Sequence, residues 1–141
     1  MPSKAGEHAT ILVVEDNADF AALIGSVLRA EGHDVATAAD GEVALGVVRG
    51  LEPDLITLDI QMPRKTGVLF YRHLKSEAAY RDIPVIVVSG LFQQDSVKMN
   101  FIRRFFETEK LPPPEGYLEK PLNAGRLIEL VNAALQPQSA A

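Results

Sequence analysis

The chain has 141 residues, 47% of them hydrophobic, with a formal net charge of -5, which suits one domain with a real core and leaves no length for a second of ordinary size. Lys and Arg form no long run, so direct binding to a nucleic-acid backbone or an anionic membrane surface is not expected. The lack of Cys excludes disulfides, thiolate metal sites and thiol nucleophiles; with no charged-then-apolar leader and no apolar run long enough to span a bilayer, a cytoplasmic location without membrane insertion is expected.

Thr10–Val14 is a short apolar, β-branched run that predicts a first strand, and Asn17 is placed to cap the helix after it. In that helix Phe20, Leu23, Ile24, Val27 and Leu28 repeat at helical spacing, with Gly32 where a left-handed stop is wanted. Val35–Ala38 predicts the second strand, and Asp40 caps a helix carrying Val43, Ala44, Val47 and Val48 and closed by Gly50. Leu55–Leu58 predicts the third strand, which delivers a lone aspartate, Asp59, to a turn at Met62-Pro63; a helix from about Thr66 to Glu77 follows with Leu69, Phe70 and Leu74. Val85–Val88 predicts the fourth strand and Gly116–Leu118, more weakly, the fifth. The last helix starts at Asn123 and presents Leu127, Ile128, Val131 and Leu135. Residues 1–9 and 136–141 read as frayed tails around a domain over 10–135. Six residues after Leu135 cannot form a further domain, so a stand-alone domain, or one excised from a longer chain, is expected.

Strands alternating with helices imply an α/β protein: a parallel sheet joined by right-handed crossovers, with helices on both faces. In such sheets ligands bind beyond the carboxyl ends of the strands. Those ends carry "VVEDN" with Glu15 and Asp16, then Asp59, then "VVSG" with Ser89, then "YLEKP" with Lys120. Taken singly, each has an ordinary reading: Glu15 and Asp16 complement a helix N-terminus, Asp59 and Ser89 are turn or cap residues, and Lys120 is a solvated lysine. Their joint occurrence at four strand ends is not explained that way. Three carboxylates at one edge repel, and a hard divalent cation such as Mg²⁺ relieves the repulsion through oxygen ligands. The cation also neutralises an incoming phosphoryl group, with Ser89 and Lys120 on the same oxygens, so Asp59 reads as a nucleophile that becomes an aspartyl phosphate.

The run "ILVVEDN", "LITLDIQMP", "VIVVSG" and "YLEKP", in that order, resembles the receiver domain of bacterial two-component response regulators from about Thr10 to Leu135. The resemblance implies a flavodoxin-like, doubly wound (βα)5 fold with a five-stranded parallel sheet of order 2-1-3-4-5. It implies phosphoryl transfer to Asp59 from a histidine kinase or histidine phosphotransfer protein, in a phosphoacceptor that assists its own phosphorylation and dephosphorylation rather than in an enzyme proper. Mg²⁺ would be held by Asp16, Asp59 and the backbone carbonyl of Gln61, with Glu15 acting largely through a bound water, and Lys120-Pro121 would be a cis peptide. Ser89 and Tyr117 would be the switch pair, Tyr117 turning inward as Ser89 moves to the phosphoryl group. The signal would then pass to a protein partner on the face of the fourth helix, fifth strand and fifth helix.

Three features depart from the family pattern. Leu122 follows Lys120-Pro121 where an aromatic is common, and Leu91, two residues past Ser89, is expected to overhang the site and slow hydrolysis of the phospho-aspartate. Between Ser89 and Lys120 lies a long insertion, about residues 94–115, in which Val97, Met99, Phe101, Ile102, Phe105 and Phe106 spread over more of a helix than one core-facing stripe needs. Pro112–Pro114 folding back, a partner protein or a second copy in a homodimer would cover the surplus, while Arg103 and Arg104 read as a solvated face. Other functions fit worse. A degenerate receiver that binds partners without phosphorylation would not need Asp16, Asp59 and Lys120 together. A haloacid-dehalogenase-like phosphohydrolase needs a second carboxylate where Gln61 stands. "EDNADF" is not the glycine-rich turn of a dinucleotide site, and Gly41 to Gly46 lacks the Lys-Ser/Thr of a phosphate loop. His73 reads as a solvated helix residue.

Overall fold

The computed structural model describes residues 8–60, 67–90, 104, 107–108 and 110–136. Its elements are β1 (Thr10–Val14), α1 (Ala18–Ala30), β2 (Asp34–Ala38), α2 (Gly41–Leu51), β3 (Leu55–Leu58), α3 (Gly67–Ser76), β4 (Val85–Ser89), β5 (Gly116–Glu119) and α4 (Ala124–Leu135). Here α4 is the last helix of the sequence; the helix expected to carry Val97 to Phe106, within about residues 94–115, falls almost wholly outside the described residues. The five strands are parallel in the order β2-β1-β3-β4-β5, the doubly wound arrangement expected.

β1 can be apolar from Ile11 to Val14 because helices cover both faces of its sheet and bury those four residues. Ile11, Val13, Leu55, Ile86 and Val88 pack with Ile24 and Leu28 of α1 and Leu127, Val131 and Leu135 of α4. Leu12, Val14, Ile56, Leu58, Val85 and Val87 face the other way, onto Ala44, Leu45 and Val48 of α2 and Phe70, Tyr71 and Leu74 of α3. Each such side chain contributes about 1.5–3 kcal/mol by leaving water.

The caps follow the sequence. Asn17 Oδ1 accepts from Phe20 N–H at 2.9 Å, Asp40 Oδ1 from Val43 N–H at 2.9 Å and Asn123 Oδ1 from Arg126 N–H at 2.9 Å. Gly32 takes φ 95° just past α1. Gly50, by contrast, does not close α2: Glu52 N–H still bonds to Val48 C=O at 3.0 Å, and the left-handed residue is Glu52 itself, φ 52°, ahead of Pro53. The hydrophobic spacing also misplaces some apolar residues, since Leu23, Val43 and Leu69 are 46%, 49% and 45% exposed. On α1 the sheet-facing stripe is instead Ala21, Ile24, Gly25 and Leu28, whose small members let the helix sit close to the sheet.

Ala9, assigned above to the N-terminal tail, is fully buried; its N–H donates to His33 Nδ1 at 3.1 Å and its carbonyl accepts from Asp34 N–H at 2.9 Å. Burial holds the His33 pKa below its ordinary 6.5 against the opposing pull of Glu31. The unfolded chain therefore takes up a proton first as pH falls below about 6.5, so the His33 contribution to folding stability is expected to decline there. Between about pH 7 and a pH below about 6 the urea midpoint of the wild type should fall relative to that of His33→Gln, which keeps an acceptor but does not take up the proton. An NMR titration midpoint for His33 at or above 6.5 would contradict the assignment.

Part of the long insertion is described. The Tyr71 hydroxyl donates to the Pro112 carbonyl, Leu111 packs against the α2–α3 side of the core, and Pro114 is buried, so the proline run lies on α3. Whether it also covers the apolar face of 97–106 falls outside the described residues. Lys75, unremarked in the sequence, is 4% exposed and ties the loop after α3 by donating to the carbonyls of Arg81 at 2.9 Å and Ile83 at 2.6 Å.

Candidate functional site

The carboxyl ends of β1, β3 and β5 meet at one edge of the sheet. Glu15 N–H bonds to Ala38 C=O at 2.9 Å and Asp59 N–H to Val14 C=O at 3.0 Å, so the backbone ladder continues one residue past each strand and sets the two acids side by side. Glu15, Asp16 and Asp59 each place one carboxylate oxygen within 4.8 Å of the others. Glu15 and Asp59 are buried, at 3% and 4% exposure, whereas Asp16 is exposed.

Lys120, just beyond β5, supplies the counter-charge. Its Nζ donates to Asp59 Oδ2 at 3.2 Å and to Glu15 Oε2 at 3.1 Å, and the peptide that follows it, Lys120-Pro121, is cis as expected. Glu15 Oε2 also accepts from Asn17 N–H at 3.1 Å. Glu15 Oε1 lies 3.1 Å from the ammonium, yet the geometry gives it no hydrogen bond, leaving a fully buried oxygen without a donor among the described residues.

Three carboxylates and one ammonium leave the cluster net negative. Burial, then the neighbouring Asp59 carboxylate, push the Glu15 pKa up to about 7, while Asn17 N–H and Lys120 pull against them. Burial disfavours the Lys120 charge, but the Asp59 carboxylate and Glu15 outweigh it and raise its pKa. A surplus of negative charge, hard oxygen donors and an unsatisfied buried carboxylate oxygen are what a small divalent cation would satisfy.

The other expected site residues are placed less completely. Ser89 ends β4 in register with Glu119, one residue before Lys120; the role expected of its hydroxyl lies outside the described residues, as do Gln61, Leu91 and Met62-Pro63. Tyr117 is half-buried on β5, beside Val87 of β4, and packs on the α2–α3 side of the core. Leu122 packs on the opposite side, with the α1–α4 cluster.

Two neighbours of the site were not picked out from the sequence as site residues. Gly67, the first residue of α3, sits against the phosphoacceptor candidate: a Cβ there would lie 2.4 Å from both the Asp59 carbonyl oxygen and Ile60 Cα. Phe20, read only as an apolar helix position, has its ring centroid 4.5 Å from Lys120 Nζ.

An open parallel sheet of order 2-1-3-4-5 with an acid cluster and a lysine at its carboxyl edge is the arrangement that the receiver resemblance implies. The model of the response regulator receiver domain matches residues 11–132, and the chain belongs to that family. It is 31% identical over 126 residues to the DNA-binding response regulator MtrA of Mycobacterium leprae, covering 89% of this chain and 51% of that protein. It is 35% identical over 130 residues to protein-glutamate methylesterase/protein-glutamine glutaminase 1 of Anaeromyxobacter dehalogenans, covering 89% of this chain and 36% of that one. The chain thus spans about half the length of MtrA and less of the methylesterase. Among solved structures, the receiver domain of NtrX from Brucella abortus superposes with a TM-score of 0.73 at 30% identity, covering 89% of this chain and 97% of that one. A putative response regulator from Chloroflexus aurantiacus gives 0.77 at 26% identity, covering 90% and 97%. No helix among the described residues is long and apolar enough to cross a membrane.

Proposed function

We propose that the chain is a phosphoacceptor of a two-component or phosphorelay system, with Asp59 as the residue phosphorylated. The observation that carries this reading is the Lys120 ammonium bridging the buried carboxylates of Glu15 and Asp59, at 3.1 and 3.2 Å. An Asp59 oxygen attacks the phosphorus of a phosphohistidine on a kinase or phosphotransfer protein. The P–N bond breaks with its electron pair going to the imidazole nitrogen, and a P–O bond to Asp59 replaces it. Lys120, already at Asp59 Oδ2, moves little to meet the phosphoryl oxygens, and the Ser89 hydroxyl is the second group assigned to them. Glu15, Asp16 and Asp59, with the Gln61 carbonyl, would hold Mg²⁺, which when bound supplies the charge neutralisation that brings phosphate and carboxylate together. The buried Glu15 oxygen without a donor and the three convergent carboxylates fit that ion. The output is a conformational change, through Ser89 and Tyr117, on the face of β5 and α4, read by a downstream protein.

Intact mass after incubation with acetyl phosphate and Mg²⁺ tests this. A phosphoryl adduct of about 80 Da, absent with EDTA, is the expected result. Hydride reduction of the adduct should convert Asp59, and no other aspartate, to homoserine. An unlabelled chain, under conditions that label another receiver, would instead support a module that binds partners without phosphorylation.

A further inference from the structure

Lysine carries its charge on a flexible four-carbon stem, so a lysine that must meet a transferred group benefits from being held. Lys120 is held from two sides by carboxylates, and on a third the Phe20 ring centroid stands 4.5 Å from Nζ, within cation–π range. The ring is itself fixed. Phe20 lies in the first turn of α1, its N–H bound to Asn17 Oδ1 at 2.9 Å, and its side chain packs on the core cluster between the sheet, α1 and α4. Asn17 N–H in turn holds Glu15 Oε2 at 3.1 Å, so one cap residue sets both the aromatic ring and a carboxylate against the same ammonium.

We propose that Phe20 is a positioning residue for phosphoryl transfer, its ring face holding the Lys120 ammonium over Asp59. The two carboxylates alone would let the ammonium follow whichever of them a cation or phosphoryl group displaces. The ring is neutral and stays in place through the reaction, so its grip on the lysine persists once Asp59 no longer offers a free carboxylate. Leucine in its place would fill much of the same apolar space on α1 but offer no π face.

This role rests on Asp59 being the phosphoacceptor, and the test separates the two. The rate of adduct formation from acetyl phosphate at saturating Mg²⁺ is measured for wild type, Phe20→Leu and Phe20→Tyr, and for Lys120→Met with and without Phe20→Leu. Phe20→Leu is expected to slow labelling by about three- to thirtyfold, the range a cation–π contact converts to, with Phe20→Tyr close to wild type. In the Lys120→Met background Phe20→Leu should change nothing further, since there is no ammonium left to hold. The wild-type Lys120 Hε protons should also show an upfield ring-current shift, a measurement that needs no variant to fold. Labelled wild type with an equally fast Phe20→Leu, a slow Phe20→Tyr, an undiminished Phe20→Leu effect on Lys120→Met, or unshifted Hε protons each overturns the role of Phe20 alone. A wild-type chain that takes no adduct overturns the phosphoacceptor reading and this role with it.

Discussion

Asp59→Asn is expected to take up no phosphoryl group and, in metal-free buffer near pH 8, to unfold at a higher urea concentration than the wild type. An amide is no nucleophile toward phosphorus, while the backbone that positions residue 59, its N–H on the Val14 carbonyl, is unaffected by the change. The gain in stability follows from charge. Asp59 sits among Glu15 and Asp16, with oxygens within 4.8 Å, and pairs with Lys120. Removing its charge relieves the repulsions from Glu15 and Asp16 and gives up the attraction to Lys120, each such pair being about 1–4 kcal/mol for unit charges some 4 Å apart at effective dielectrics between water and a protein surface. The pH dependence gives a second check. The folded Glu15 pKa, raised to about 7 from 4.5 first by burial and then by Asp59, means the folded metal-free protein holds a proton that the unfolded chain has lost. That contribution to stability is present below 4.5 and lost as pH rises to about 7. With Asn at 59 the Glu15 pKa falls, the window narrows and the loss shrinks. Mg²⁺, lacking one carboxylate, should also raise the urea midpoint less than it does in the wild type. Equal midpoints for the two proteins in metal-free buffer would show that the cluster is not under electrostatic strain.

Gly67→Ala should be strongly damaging for the addition of a single methyl group. The added Cβ would fall 2.4 Å from the Asp59 carbonyl oxygen and from Ile60 Cα, both backbone atoms, which cannot swing aside as a side chain could. Either α3 lifts from the sheet or the end of β3 shifts. The expected loss is about 1–3 kcal/mol of folding stability, the range for forcing atoms into a packed site. Because one of the displaced atoms is the backbone carbonyl oxygen of Asp59, the proposed phosphoacceptor, labelling should slow by more than the fraction unfolded explains, by up to about a hundredfold for a displacement near 1 Å. Gly46→Ala is the control: nothing lies within 4 Å of its added Cβ, it stands inside α2, and alanine there is expected to stabilise by about 0.5–1 kcal/mol. Urea midpoints and labelling rates on the two variants decide the matter; Gly67→Ala behaving like Gly46→Ala would sink the argument.

What the sequence determined by itself is whatever depends on neighbours along the chain. Apolar runs marked β1, β3 and β4 to within a residue at each end, since burial on both faces leaves little other composition for a central strand, while the edge strands β2 and β5 are only partly buried. Asn17 and Asp40 were legible as caps, and Asn123 as a helix start, because a cap bonds to an N–H three residues away. Glu15, Asp16, Asp59 and Lys120 stood out because a parallel sheet sends every strand's carboxyl end to the same edge, so strand order alone gathers them. Tertiary structure decided what depends on distance through space. Which way each helix is turned on the sheet placed Leu23, Val43 and Leu69 outward and Ala21 and Gly25 inward, and apolar spacing does not fix that rotation when alanine and glycine can fill the contact. Lys75 is buried because two loop carbonyls lie within reach of its ammonium. The close approach of Gly67 to Asp59, and the Phe20 ring beside an ammonium from the far end of the chain, exist only once α3 and α1 have docked, because packing against the sheet sets those distances and residue spacing does not.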